Sequence, residues 1–144
     1  SIGQQRLQGY LDALKAHNCP IDNDLILEAG FMENDGARTI HTLLNLPKKI
    51  DAIFCVNDPV AIGCLSVLKN KGIRIPEEIA IAGFSDNAVS AMIEPPLTTI
   101  RQPAKKIGKM AASILFDMIR NPGSASATAS VTTLQTELII RKSA

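Results

Sequence analysis

The sequence predicts an α/β fold in which a parallel sheet is flanked by helices. Two short runs, residues 51–56 and 79–84, are mainly apolar and show no in-out alternation, which is typical of strands buried on both faces. Segments with helical spacing of apolar residues lie before, between and after such runs. This alternation of element types implies parallel strands joined by right-handed crossovers.

The composition indicates one domain of ordinary globular character. The chain has 144 residues, of which 46% are hydrophobic and 20% charged, and its formal net charge is +1. The charges form no basic block, which argues against binding of nucleic acid or a membrane surface by this chain alone. No apolar run approaches the roughly 20 residues of a transmembrane helix.

Residue types that carry chemistry are sparse. The three cysteines include Cys55 in a predicted strand and Cys64 in the following helix, which is typical of core residues in a cytosolic protein rather than of a disulfide framework. His17 and His41 lie far from each other and from any residue at metal-ligand spacing. No nucleotide-binding, metalloprotease or hydrolase motif is present, so we expect no cofactor, no metal and no catalytic site.

The first third of the chain predicts two helices separated by a strand. Apolar residues recur at helical spacing over residues 3–17, which predicts an amphipathic helix. A short strand is expected at 25–29. A second helix is expected at 37–44, with Asp35 near its start.

The stretch 51–63, DAIFCVNDPVAIG, predicts a strand, a tight polar turn and a helix. Asp58 at the N-cap, with Pro59 at the first helical position, is a strong start signal, and the helix is expected to end near Lys71. In a parallel sheet this turn lies at the carboxyl edge of the strands, where ligands usually bind. Asn57 and Asp58 are the polar groups available there.

The remaining elements follow a less regular rhythm. Residues 79–84 predict a buried strand. Polar residues follow it at 85–87, as they follow the preceding strand at 57–58. Two prolines at 95–96 exclude a helix. The later elements are a short strand at 97–100, a helix at 103–120 with an apolar stripe, a surface loop at 124–130 and an edge strand at 131–140.

Several short motifs follow one another in a fixed order. They are RLQGY at 6–10, DAIFCVND at 51–58 with Ala61 and Gly63, GIRIPE at 72–77, IAIAGF at 79–84, PPLTTI at 95–100, QP at 102–103, IG at 107–108 and TELI at 136–139. This ordered set resembles the effector-binding domain of the LacI/GalR (lactose-repressor/galactose-repressor) family of bacterial transcription regulators. The resemblance covers essentially the whole chain.

The resemblance implies a periplasmic-binding-protein-like fold of two α/β lobes, with the effector in the cleft between them. On that pattern, residues 1–144 are part of one effector-binding domain. Residues 1–93 belong to its C-terminal lobe, 94–128 form a crossover strand and a helix of the N-terminal lobe, and 129–144 form a returning strand. The family's helix-turn-helix domain, which reads operator DNA, is absent from this sequence.

The resemblance also implies an effector-binding set. From the residues alone, Arg6 is interpreted as an ordinary solvated arginine, and Phe31 is interpreted as an edge residue of the core. In the family, the matching arginine binds effector oxygens, and an aromatic residue at the position of Phe31 stacks against the effector. The main expected role of Asp58 is to cap its helix, which would stabilise the helix by about 1 kcal/mol, and contact with the ligand is its secondary expected role. Asn57 is expected to face the ligand. The implied set is Arg6, Phe31, Asn57, Asp58, Ser85 and Asp86.

Ser85 departs from the family pattern, which places an aspartate there to accept hydrogen bonds from effector hydroxyls. Either Asp86 takes over that role, or the effector differs from a neutral sugar. A serine would tolerate an anionic group, such as a phosphate, that an aspartate would repel.

A dimer interface is expected beside the helix that follows Asp58. Ile62 and Leu65 lie outside the centre of that helix's apolar face, which widens its apolar stripe. They are covered either by a neighbouring helix or by a second subunit, and the resemblance favours a homodimer. The expected interface comprises Ile62, Leu65, Lys69, Val89, Met92 and Ile93.

The sequence thus predicts the ligand-sensing and dimerisation domain of a cytoplasmic LacI-type transcriptional regulator. A small, sugar-like effector would alter operator affinity, and operator DNA would be bound only through the domain absent from this sequence. The alternative is a periplasmic sugar-binding component of a transporter, which shares the fold. An enzyme has no residue constellation in its favour.

Overall fold

The computed structural model describes residues 2–121 and 131–144. Within these residues four α-helices accompany a four-stranded sheet, and two 3-10 turns occupy Asn23–Leu25 and Ala88–Ala91. The predicted loop at 124–130 lies outside the described residues. The elements are α1 (Ile2–Ala16), α2 (Glu33–Leu44), β1 (Ala52–Phe54), α3 (Asp58–Asn70), β2 (Ala80–Ser85), β3 (Thr98–Arg101), α4 (Ala104–Arg120) and β4 (Glu137–Ile139).

The sheet has the order β1-β2-β3-β4. Its first three strands are parallel, with Ile53 opposite Ile81 and Phe84 opposite Ile100, which confirms the predicted α/β fold. β4 is antiparallel to β3, so the sheet is mixed. Only Glu137–Ile139 of the strand predicted at 131–140 is paired, because β3 ends at Arg101, opposite Glu137.

The core lies between the sheet and helices α2 and α3. These helices approach so closely that glycine is required at two positions: a Cβ on Gly36 would lie 2.1 Å from the Val60 carbonyl oxygen, and one on Gly63 would lie 2.0 Å from the Glu33 carbonyl oxygen. The side chains of Ile40, Leu68 and Ile81 are fully buried in this layer. This packing fixes the N-terminus of α3 against the sheet.

Helix α1 contributes less to the core, and none of its residues is buried. The Tyr10 ring stacks on the Phe54 ring of β1, with centroids 6.4 Å apart. A cavity of about 500 Å³ lies between α1, β1 and residues 25–29. The strand predicted at 25–29 is wrong, because this cavity separates the segment from β1 and leaves it no strand to pair with among the described residues.

Helix α4 is amphipathic in sequence, yet none of its residues is buried. Its apolar stripe includes Ile114 and Met118, of which 44% and 53% are exposed. The described residues therefore supply no sheet that covers this helix. Among the described helices, none is long and apolar enough to cross a membrane.

Candidate functional site

The carboxyl ends of the three parallel strands meet at one edge of the sheet, as expected for a parallel arrangement. The turns after β1 and β2 are joined there, because the Asn87 amide donates a hydrogen bond of 2.8 Å to Asp58 Oδ2. The turn after β2 is also joined to the end of β3, because Gln102 Nε2 donates to Ser85 Oγ at 3.0 Å. Most of the predicted effector-binding residues thus lie at one edge.

Asn57, rather than Asp58, is the N-cap of α3. Its Oδ1 accepts a 2.9 Å hydrogen bond from the Val60 amide, and its Nδ2 donates a 2.9 Å bond to the Phe31 carbonyl oxygen. The predicted cap at Asp58 is wrong, because Asp58 is already the first residue of α3 and its carboxylate binds donors outside the helix. The Asn57 amide is therefore used to join α3 to the loop after residue 30.

Asp58 is fully buried and lies in the first turn of α3. Its Oδ2 accepts bonds from the Asn87 amide and from Ser90 Oγ, at 2.8 and 2.6 Å, and its Oδ1 accepts a bond of 2.5 Å from Thr99 Oγ1. Both carboxylate oxygens are therefore occupied by protein donors. The predicted contact between Asp58 and an effector is not supported, and the residue instead holds α3, β3 and the turn after β2 together.

Ser85 and Asp86 end β2 with an unusual backbone. Their φ angles are +127° and +54°, in the region that favours glycine, so this turn holds strain of about 1–3 kcal/mol per residue. Two arginines hold the Asp86 carboxylate: Arg141 donates at 2.6 Å and Arg101 at 2.7 Å. Asp86 therefore has no carboxylate oxygen without a protein donor, while the Ser85 hydroxyl accepts a bond from Gln102 alone among the described residues.

The ionisation of Asp86 depends on this pair of arginines. Burial raises the pKa of the carboxyl, but the hydrogen bonds and charges of Arg141 and Arg101 outweigh burial and hold the pKa below its ordinary value. A carboxylate with a lowered folded-state pKa stabilises the fold above its unfolded-state pKa of about 4. That contribution is lost as the pH falls through the lowered value.

Asp86→Asn is expected to make the free energy of unfolding depend less on pH in the acid range. The variant loses the charge-assisted bonds at neutral pH and has no carboxyl to protonate at low pH, so the difference in unfolding free energy between the wild type and the variant should shrink as the pH falls from 7 to about 3. Urea unfolding at several pH values measures this difference. A difference that is constant across that range would contradict the ion-pair role of Asp86.

Arg6 reaches the same edge from α1. Its NH1 donates to the Val56 carbonyl oxygen, and its guanidinium carbon lies 3.8 Å from the centre of the Phe84 ring, a cation–π geometry. Burial lowers the pKa of Arg6, yet a guanidinium stays protonated at neutral pH. Within the described residues, Arg6 forms no ion pair with a carboxylate.

Phe31 lies beside this edge, in the loop whose carbonyl oxygen is bound by Asn57. Its side chain is 57% exposed, so its ring is available for stacking. The cavity of about 500 Å³ lies beneath α1 and is lined mainly by apolar side chains. It includes Arg6 but not Ser85 or Asn57, so we place the candidate site at the polar edge rather than in the cavity.

Five residues of the edge were not predicted from the sequence: Ser90, Thr99, Arg101, Gln102 and Arg141. Arg101 and Gln102 directly follow the strand at 97–100, and this position was a usable signal. Arg141 carried no such signal, because it approaches Asp86 only through the antiparallel return of β4.

The predicted dimer residues fall into two groups. Leu65 is 5% exposed and belongs to the core of this chain, so the neighbouring elements of the same chain cover it, and it offers little area to a second subunit. Val89 and Met92 are 51% and 81% exposed. Ile62 and Ile93 are partly buried, and Lys69 Nζ donates to the Glu94 carbonyl oxygen at 2.7 Å.

A family model described as a periplasmic binding protein-like domain matches residues 1–144. The chain belongs to this family. Within it, the resemblance to the LacI-type regulators is confirmed by the relatives. The chain is 37% identical over 119 residues to a probable HTH-type transcriptional repressor, ExuR, of Bacillus subtilis, covering 83% of this chain and 36% of the relative.

Two further LacI-type comparisons agree. The chain is 37% identical over 140 residues to the HTH-type transcriptional repressor CytR of Escherichia coli, covering 96% of this chain and 40% of the relative. A solved complex of the transcriptional regulator CelR with cellobiose superposes with a TM-score of 0.89 at 32% identity, covering 96% of this chain and 42% of that chain. This LacI-type domain therefore spans well under half the length of these relatives, which are regulators rather than enzymes or transporter components.

Proposed function

We propose that this chain is the effector-sensing and dimerisation part of a cytoplasmic LacI-type transcriptional regulator. A small, sugar-like effector would bind at the carboxyl edge and change operator affinity by shifting the population of domain arrangements, which couples two sites. The observation that carries the proposal is the position of Arg6. Its five-donor fork is held over Phe84 at the ligand-binding edge and makes a single hydrogen bond to the described residues.

The division of the domain into lobes is part of the proposal. Residues 1–93 would belong to the C-terminal lobe, 94–128 to a crossover strand and a helix of the N-terminal lobe, and 129–144 to the returning strand. The exposed apolar stripe of α4 supports this division, because a helix of a second lobe would be covered by the sheet of that lobe. Operator DNA would be bound through the helix-turn-helix domain of the longer protein.

The test uses the full-length protein with its operator. Calorimetry against a panel of sugars and sugar derivatives identifies the effector, and fluorescence anisotropy measures operator affinity with and without it. Arg6→Ala should weaken effector binding at least about tenfold, since charge-assisted hydrogen bonds are lost, and should leave operator affinity without effector unchanged.

The matched control is Lys15→Ala, which removes an exposed cation from the opposite end of the same helix. Thermal unfolding of both variants checks that α1 still folds. Equal effector affinities for the wild type and Arg6→Ala would contradict the role of Arg6. A protein whose operator affinity no small molecule of the panel changes would contradict the proposed function.

Ile62→Asp is expected to convert the proposed dimer into monomers. The residue is partly buried on α3, and a carboxylate in an apolar interface is strongly unfavourable without a partner. Light scattering of the full-length protein measures the mass. Met92→Asp, at an 81% exposed position, repeats the test without touching the core, and Gln5→Asp on α1 is the control that should remain dimeric. An unchanged dimer in both interface variants would contradict this surface.

A further inference from the structure

We propose that the effector carries an oxyanion, either a carboxylate or a phosphate, that binds between Arg6 and Ser85. This inference rests on the proposed function and adds the chemical class of the effector. It follows from which hydrogen-bonding groups at the carboxyl edge are already occupied and which are open to a ligand.

The carboxylates of the edge are engaged by the protein and offer little surface to a ligand, since Asp58 is fully buried and the Asp86 side chain is 9% exposed. Asp58 has no exposed surface and accepts bonds on both oxygens from Asn87, Ser90 and Thr99. Asp86 accepts from Arg141 on one oxygen and from Arg101 on the other. A neutral sugar hydroxyl must donate its proton to an acceptor, and charged acceptors are the strongest. The two carboxylates that could serve are therefore already used to hold the fold together.

Arg6 and Ser85 offer hydrogen-bond donors at this edge. Arg6 uses one N–H on the Val56 carbonyl oxygen and has no carboxylate partner among the described residues. The Ser85 oxygen accepts from Gln102, which leaves the hydroxyl proton of Ser85 able to be donated to another acceptor. The side-chain amide oxygen of Gln102, beside Ser85, is a neutral acceptor and does not repel an anion.

Both donors belong to the same edge of the sheet. Arg6 contacts Val56 and Phe84, which directly precede Asn57 and Ser85 in the chain. A charged fork with no carboxylate partner among the described residues and a hydroxyl donor match the acceptor-rich surface of an oxyanion, since the Asp86 carboxylate is paired with Arg101 and Arg141. A polyol would leave its own hydroxyl protons without a charged partner, so an anionic effector should be preferred to its neutral counterpart.

The experiment compares matched ligands on the full-length protein. Ribose, glucose and galactose are each titrated by calorimetry as the neutral sugar, the terminal phosphate ester and the terminal carboxylate, with operator release measured in parallel. The best anionic ligand should bind at least about tenfold more tightly than its neutral counterpart. The phosphate and carboxylate arms show which oxyanion is preferred, and inorganic phosphate alone serves as a control for the isolated anion.

Ser85→Asp tests the position directly. A second carboxylate beside Asp86 should weaken the anionic ligand at least about tenfold by repulsion, without weakening the neutral sugar. Ser66→Asp, on the exposed side of α3, makes the same change elsewhere and should leave both affinities unchanged. Thermal unfolding confirms that both variants fold.

The possible results separate this inference from the proposed function. A neutral sugar that binds as tightly as its anionic forms, or a Ser85→Asp variant that keeps the full affinity for the anion, would overturn the inference and leave the proposed function standing. A panel in which no sugar of any charge binds or releases operator would contradict both.

Discussion

Asp58→Ala is expected to lower the free energy of unfolding by about 3–5 kcal/mol, since each buried donor that loses its acceptor costs about 1–3 kcal/mol. Three donors depend on this carboxylate: the Asn87 amide, Ser90 Oγ and Thr99 Oγ1. Ser90 and Thr99 are themselves fully buried, so water does not readily replace the lost acceptor. Urea unfolding followed by circular dichroism measures the loss.

Two companion variants make the Asp58 prediction specific. Asp58→Asn keeps the shape and one acceptor oxygen, so it should be destabilised by less than the alanine variant. Asp24→Ala removes a carboxylate that is 69% exposed and, within the described part of the chain, forms an ion pair with Lys48 alone, and should change stability by less than about 1 kcal/mol. A loss below about 1 kcal/mol for Asp58→Ala would contradict the network, since that is the range of exposed pairs.

The same residue shows what sequence reasoning could and could not reach at the site. Asp58 was predicted to cap α3 because Asp before Pro is a frequent helix start, but local preference does not distinguish two adjacent cap candidates. Tertiary contacts decide between them, because the Asp58 carboxylate is bound by Ser90 and Thr99, 32 and 41 residues further along the chain. Asn57 is left to cap the helix. Such long-range pairing carries no signal in the local pattern.

The fold could be predicted from the sequence better than the site could, because helices and strands are indicated by the spacing of apolar residues along the chain. The apolar run at 51–56 contains β1, and the run at 79–84 contains all but the last residue of β2. The prediction that both strands are buried on both faces is wrong for β1, because Ala52 and Phe54 line the cavity beneath α1 and are exposed. The run at 25–29 has similar composition yet pairs with no described strand. A strand needs a partner as well as a suitable sequence, and a partner cannot be read from the segment itself.

The candidate site residues were predicted from the family resemblance. The structure shows which of their hydrogen-bonding groups are already bound within the protein and which are open to a ligand. Arg6 and Ser85 keep groups open to a ligand, whereas Asp86 is bound by Arg141 and Arg101. The sequence could not show this difference, because Arg141 meets Asp86 from β4's side of the sheet, 55 residues away. The chemical preference of the edge therefore depends on contacts that only the fold creates.

Gly63→Ala is expected to destabilise the domain by about 2–3 kcal/mol, which is the usual cost of overpacking a core. A Cβ at this position would lie 2.0 Å from the Glu33 carbonyl oxygen and 3.0 Å from the Ala37 amide nitrogen. Both contacts are with backbone, so α2 and α3 must move apart rather than a side chain rotate. This separation would also loosen the packing around Val60, whose amide is bound by the Asn57 cap.

Gly9→Ala is the matched control, and its expected effect on the free energy of unfolding has the opposite sign. Gly9 lies inside α1, and a Cβ there meets no atom within 4 Å, so the substitution should stabilise the domain by about 0.5–1 kcal/mol through helix propensity. Both substitutions add one methyl group to a helical glycine, and only the surroundings differ. A Gly63→Ala variant that urea unfolding showed to be as stable as the wild type or more stable would mean that α2 and α3 are not in backbone contact at Gly63. The cap and the Asp58 network would then lack the rigid support that this packing gives them.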